Sequence, residues 1–159
     1  MHIIDEAVAR RAIHLALPTI ARAMTDPAAG DSGCLHIVVM DPLAAPESVP
    51  FEQAILCEHS INRANWDADY VQFARAKARV SWQARCDSHA VQALRPWLVR
   101  PGQTLLWGSV WQDGLVVAVS GMQPWFDEAL AGVVACCLQA SAKARAVEAA
   151  REGPFLAMH

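Results

Sequence analysis

The chain is poor in charge and has no excess of cations. Only 18% of its 159 residues are charged, and 13 Lys and Arg against 16 Asp and Glu leave a formal charge of −3. Nucleic-acid-binding domains carry a clear positive excess, so no nucleic-acid partner is expected. No apolar run reaches the roughly 18–20 residues that a bilayer-spanning helix needs, so no membrane partner is expected either. The opening Met1-His2-Ile3-Ile4-Asp5-Glu6 lacks the basic stretch and apolar core of an export signal. There is no Cys-x-x-Cys, and the five cysteines are odd in number. Together these features place the protein in the cytoplasm with reduced thiols. The GxSxG, HExxH, P-loop and GxGxxG patterns are all missing, which removes the best-marked routes to hydrolase, zinc-protease and nucleotide chemistry.

What is abundant is apolar surface. The hydrophobic fraction is 54%, which excludes intrinsic disorder. The length suits one domain over 1–159. So much apolar surface on a small body implies burial against another subunit, a homo-oligomer.

Hydrophobic periodicity predicts the elements. Residues 5–24 read as an Ala-rich helix with Ile4, Val8, Ala12 and Leu15 at helical spacing, and Pro18 is expected to kink or split it. Residues 34–40 read as a buried strand and 51–59 as a second. A helix is predicted over 66–85 with Asn65 as N-cap, and a shorter one over 89–98. Residues 104–111 and 115–120 flank Gln112-Asp113-Gly114, a hairpin turn signal. The second arm is apolar on both faces, as a central strand must be. A long helix follows, opened by Pro124 and Asp127-Glu128 and running to about residue 151. The order α-β-β-α-α-β-β-α predicts an α+β fold, one antiparallel sheet flanked by helices.

The stretch from Gly108 through Ser120-Gly121 to Asp127-Glu128 resembles the GlcG/HbpS-like family, which includes the C-terminal domain of PduO-type adenosyltransferases. The shared pattern is a glycine pair, a short strand, an Asp-Gly turn, an apolar strand ending in Ser-Gly and an acidic pair opening the last helix. Leu35 to Asp41 looks like the family's first strand, and Phe73-Ala74-Arg75-Ala76-Lys77-Ala78 like its central helix. Two positions depart from the pattern: Trp107 replaces one glycine of the pair, and Val110 stands where a proline is common. The resemblance implies a profilin-like fold, oligomers, and haem or another tetrapyrrole as a ligand.

Several residues are candidates for chemistry. Cys57-Glu58-His59 and Cys86-Asp87-Ser88-His89 carry thiolate and imidazole ligands suited to a borderline metal. In a strand Cys57 and His59 share a face. His14, on the first helix, is a candidate metal ligand for haem iron. Packing and solvated-face roles compete with each of these. Arg75, Lys77 and Arg79 form a basic patch able to hold a carboxylate, or simply a solvated face. Trp107 and Trp111, taken as one strand, either stack on a ligand or bury in a subunit contact, and the contact is favoured. Ser120 ends a strand before a helix, as a nucleophile can, but no histidine is close in sequence to support it, and a strand-to-helix turn is the ordinary explanation. The expected function is a non-catalytic accessory protein that binds a small molecule through His59, Arg75, Lys77, His89, Trp107 and Gly108. The alternative is a small catabolic enzyme using His59, Arg75, Lys77 and His89.

Overall fold

The computed structural model describes residues 1–158. Four helices and four strands follow in the expected order: α1 (Glu6–Met24), β1 (Leu35–Met40), β2 (Ile55–Ile61), α2 (Tyr70–Ala84), α3 (Ser88–Leu94), β3 (Ser109–Gln112), β4 (Leu115–Ser120) and α4 (Pro124–Glu152). The strands form one antiparallel sheet in the order β2-β1-β4-β3. The two strands buried at every position, β1 and β4, are its centre, because a strand covered on both faces must be apolar on both. The fold is α+β.

Strand alternation builds two cores. Leu35, Ile37 and Val39 of β1 and Leu115, Val117 and Val119 of β4 face α1 and α4, where Ile13, Ile20, Leu130, Val134 and Leu138 meet them. Val38, Met40, Val116 and Ala118 face the other way and pack on Ala74, Ala78 and Trp82 of α2. By length and composition α4 is apolar enough to cross a membrane. Its buried stripe instead lies on the sheet and α1.

The hairpin turn is as its sequence requires. Asp113 and Gly114 both have positive φ (51° and 88°), with Gln112 opposite Leu115, so the twist of the turn matches that of its strands.

Five features differ from expectation. Helix α1 runs unbroken through Pro18. Pro18 lies on the exposed face, where the carbonyl it leaves unpaired reaches solvent. The second strand begins at Ile55, because Phe51–Ala54 form a 3-10 turn with Phe51 and Ala54 buried. Helix α2 begins at Tyr70, not Trp66. Its N-cap is Asp69, whose carboxylate accepts from the Gln72 amide at 3.1 Å, while Asn65 ends a short 3-10 turn. The shorter helix stops at Leu94, ahead of Pro96. The first hairpin arm is only Ser109–Gln112, since Gly108 has φ of +144°. Trp107 therefore lies outside the strand, and it and Trp111 do not form a wall on one strand face.

Candidate functional site

The basic patch on α2 splits, with Arg75 and Arg79 on one face and Lys77 on another. Residues two apart on a helix point about 200° from one another. Arg75 turns to β2 and donates twice to Glu58, at 2.9 and 2.6 Å. Arg79 lies over the Phe51 ring and bonds Glu52. Lys77 turns inward and is buried.

Lys77 is the centre of a buried polar cluster. Its Nζ donates to Asp127 Oδ2 at 2.8 Å, to the Val119 carbonyl at 3.1 Å and to Ser120 Oγ at 3.2 Å. An ammonium has three donors, and all three are used. The pair is almost wholly buried, Lys77 at 3% and Asp127 at 1% side-chain exposure. Asp127 also accepts from the Met122 amide at 2.9 Å. Burial pushes the Asp127 carboxyl up to about 6, although the Lys77 charge and hydrogen bond and the Met122 and Gly121 amides pull it down. Near neutral pH it is therefore a carboxylate, held beside an ammonium.

Gly108 makes room for this pair. A Cβ there would lie 2.8 Å from Asp127 Cβ, 2.8 Å from the Val119 carbonyl oxygen and 3.0 Å from Lys77 Nζ. Gly121, at the end of β4, is as constrained: a Cβ would come within 2.1 Å of the Cys34 carbonyl oxygen.

The cluster opens onto a cleft of about 600 Å³ at the end of β4. Lys77, Ser120 and Asp127 line its base. The start of α2 supplies Tyr70 and Phe73, the loop after α1 supplies Asp31 and Ser32, and the turn into α4 supplies Gln123. The rim is acidic: Asp31 and Asp67 are exposed there and form no salt bridge among the described residues, and Tyr70 donates its hydroxyl to Asp67 at 2.6 Å. A buried, hydrogen-bonded ion pair at the base of an open cleft is an arrangement suited to orienting a small polar molecule.

The other sequence candidates lie elsewhere. His14 and His59 meet across α1 and β2 at a cavity of about 40 Å³, with Arg10 and Ile13. Burial lowers the His59 pKa, and the positive charges of His14 and Arg10 lower it further. Cys57 is buried in the core on the α1 side, and burial raises its thiol pKa. Cys86 sits at the α2–α3 turn. Among the described residues no group of three or more His, Cys, Asp or Glu side chains is placed to hold a metal ion. His89 stacks on Trp107 at 4.1 Å between centroids, and Trp125 lies 6.3 Å beyond. Arg75 borders a separate cavity of about 190 Å³ with Glu52 and Gln103. Of the six ligand-binding candidates only Lys77 lines the main cleft, with Gly108 packed behind it.

A second polar group stands beside α2. His36 bonds Ser60 Oγ through Nδ1 and Glu58 through Nε2, both at 2.8 Å. Burial lowers the pKa of His36 against the pull of Glu58, so it is a neutral imidazole whose Nε2–H donates to the carboxylate. Burial alone would raise Glu58, but the hydrogen bonds from Arg75 and His36 outweigh it and hold Glu58 below its ordinary value.

The sequence reading missed Asp127 as a site residue. An acidic residue in the first turn of a helix already has an explanation in the helix dipole, and nothing local marks it as buried. The only signal was its place in the motif shared with the GlcG/HbpS-like family.

No protein-family model matches the chain, and no curated protein matches it. A solved structure does: Klebsiella pneumoniae protein ORFY, described as a DUF336 protein, at a TM-score of 0.54 over 86% of this chain and 91% of that one. The two share a fold. DUF336 is the GlcG-like family, so the likeness agrees with the motif resemblance, and at 18% identity it speaks for the fold alone.

Proposed function

We propose that this protein is a small-molecule-binding accessory protein whose ligand sits in the cleft above Lys77 and Asp127. One observation carries the reading: a buried ion pair with a hydroxyl beside it forms the base of a 600 Å³ opening. A cleft of this size suits a small organic ligand. Of the four residues the enzymatic alternative would use, only Lys77 lines the cleft. The proposed setting is the cytoplasm, without nucleic acid or membrane as partner.

Haem, the ligand that the resemblance implied, fits this cleft poorly. Haem iron is held by His, Cys, Met or Tyr, and among the described residues no histidine or cysteine lines the cleft. Tyr70 commits its hydroxyl to Asp67, and Met122 is the one other iron-ligating side chain there among the described residues. The acidic rim opposes propionate groups. A Soret band on haem titration that a His14 or His89 change abolishes would return haem to first place.

Native mass spectrometry of freshly purified protein, with thermal-shift screening of small polar metabolites, tests the reading. Gln123 is exposed, lines the cleft and makes no side-chain hydrogen bond within it, so Gln123→Trp narrows the cleft without touching the core. Retained ligand or stabilisation in the parent, lost in Gln123→Trp, is expected. Binding that survives the substitution refutes the site.

Self-association belongs to the same proposal. Leu94 (70% exposed), Trp97 (75%) and Leu105 (69%) lie between Asp87 and Asp113, a span holding Arg95 and Arg100 and no acidic residue. Trp and Arg are enriched at interfaces, where Asp and Glu are scarce. Light scattering should show an oligomer that Trp97→Glu dissociates, whereas a parent protein that is already a monomer refutes it.

A further inference from the structure

We infer that the Ser120 hydroxyl is a hydrogen-bond donor aimed into the cleft, and that it selects ligands carrying an uncharged carbonyl oxygen. This rests on the cleft being the ligand site. A serine hydroxyl has one donor and two acceptor sites. Ser120 Oγ accepts from Lys77 Nζ at 3.2 Å, and that is its one hydrogen bond among the described residues. Its own proton has no acceptor there. The side chain is buried (5% exposed) and lines the cleft. A buried donor without an acceptor costs free energy unless a ligand or water supplies one.

The neighbours define what that acceptor should be. Lys77 has spent all three donors on Val119, Ser120 and Asp127, so it offers a ligand no direct bond. It polarises the Ser120 O–H from behind, which strengthens that donor toward an oxygen. The Asp127 carboxylate already answers the charge of Lys77. Asp31 and Asp67 on the rim then leave the cleft with an excess of negative charge, which repels an anionic head group. A neutral carbonyl, as in an amide, ketone or aldehyde, accepts the Ser120 proton without that repulsion. Strand register holds Ser120 in place, since it pairs with His36 at the end of β4, and Gly121 allows the chain to turn directly after it.

Two forces compete in the cleft: the donor at its base favours a carbonyl, and the acidic rim favours an amine. Benzamide and benzylamine share a ring and differ in this respect, and benzoate adds the anion. Each is titrated into 15N-labelled protein and followed at the backbone amides of Ser32, Gly121 and Gln123. Benzamide is expected to bind more tightly than either of the others. Ser120→Ala should weaken it by about threefold to tenfold, the worth of one neutral hydrogen bond, while Ser120→Thr, which keeps the hydroxyl, restores it. Benzylamine affinity should be the same in all three proteins. Benzylamine binding in preference to benzamide, or benzamide binding equally to Ser120→Ala, overturns the inference but leaves the cleft as a ligand site. If none of the three probes shifts these amides, the inference falls together with the reading of the cleft.

Discussion

Replacing Lys77 by Met removes one half of a buried ion pair and leaves the other in place. Asp127 keeps the Met122 amide bond but loses its counter-charge at 1% exposure. Breaking a buried pair in this way costs about 3–5 kcal/mol, a large share of the ~5–15 kcal/mol that holds a typical domain. At ~2–4 °C per kcal/mol for a chain of this size, the melting temperature should fall by on the order of 10 °C. The deficit should depend on pH. In the folded protein the Asp127 carboxyl is raised to about 6 from an ordinary 3.8. The native state thus holds this proton to higher pH than the unfolded chain does. Its contribution to stability is greatest below about pH 4, falls as pH rises from about 4 to about 6, and is level above that. Without Lys77 the two strongest of the influences that pull Asp127 down are gone and only the Met122 and Gly121 amides remain, so the fall continues beyond pH 6. Urea unfolding should show the full deficit at pH 7.5 and a much smaller one at pH 5. The double variant Lys77→Met/Asp127→Leu should recover most of the loss, because no charge then remains buried. A loss below ~1 kcal/mol at pH 7.5, or equal losses at the two pH values, refutes the account of the pair.

Three further outcomes are expected. Gly108→Ala forces a side chain into φ of +144° and against the Lys77–Asp127 pair; it should cost more than about 2 kcal/mol by chemical denaturation, and a neutral effect would show that the pair does not need this close approach. Arg75→Met removes a bidentate partner of Glu58 that is itself a third exposed, so the loss should be only about 1 kcal/mol. Because Glu58 is held below its ordinary value, its stabilisation is present above the unfolded pKa and disappears as pH falls through the folded one; the effect of Arg75→Met should therefore shrink toward pH 4 in denaturation curves. Pro18→Ala restores a backbone donor on the exposed face of α1 and should stabilise by about 1 kcal/mol or more; a lower melting temperature would show that Pro18 is built into the packing.

The sequence alone determined the elements and the sheet's interior. Continuous apolar runs made β1 and β4 central, and Asp113-Gly114 fixed the hairpin, because these signals are local and depend on backbone sterics and on burial of both strand faces. Boundaries were less legible where several polar residues competed for one role. Asn65, Asp67 and Asp69 can all cap a helix. Asp69 does so, while Asp67 takes the Tyr70 hydroxyl instead. The site was decided only in three dimensions. Lys77 and Asp127 lie on different helices, fifty residues apart, and each is also an ordinary surface charge by local pattern. Packing of α2 and α4 about the end of β4 buries them together beside the Ser120 hydroxyl at the base of the cleft. Burial of a charge becomes favourable only when its partner arrives from elsewhere in the chain, and no short-range pattern in the sequence records that meeting.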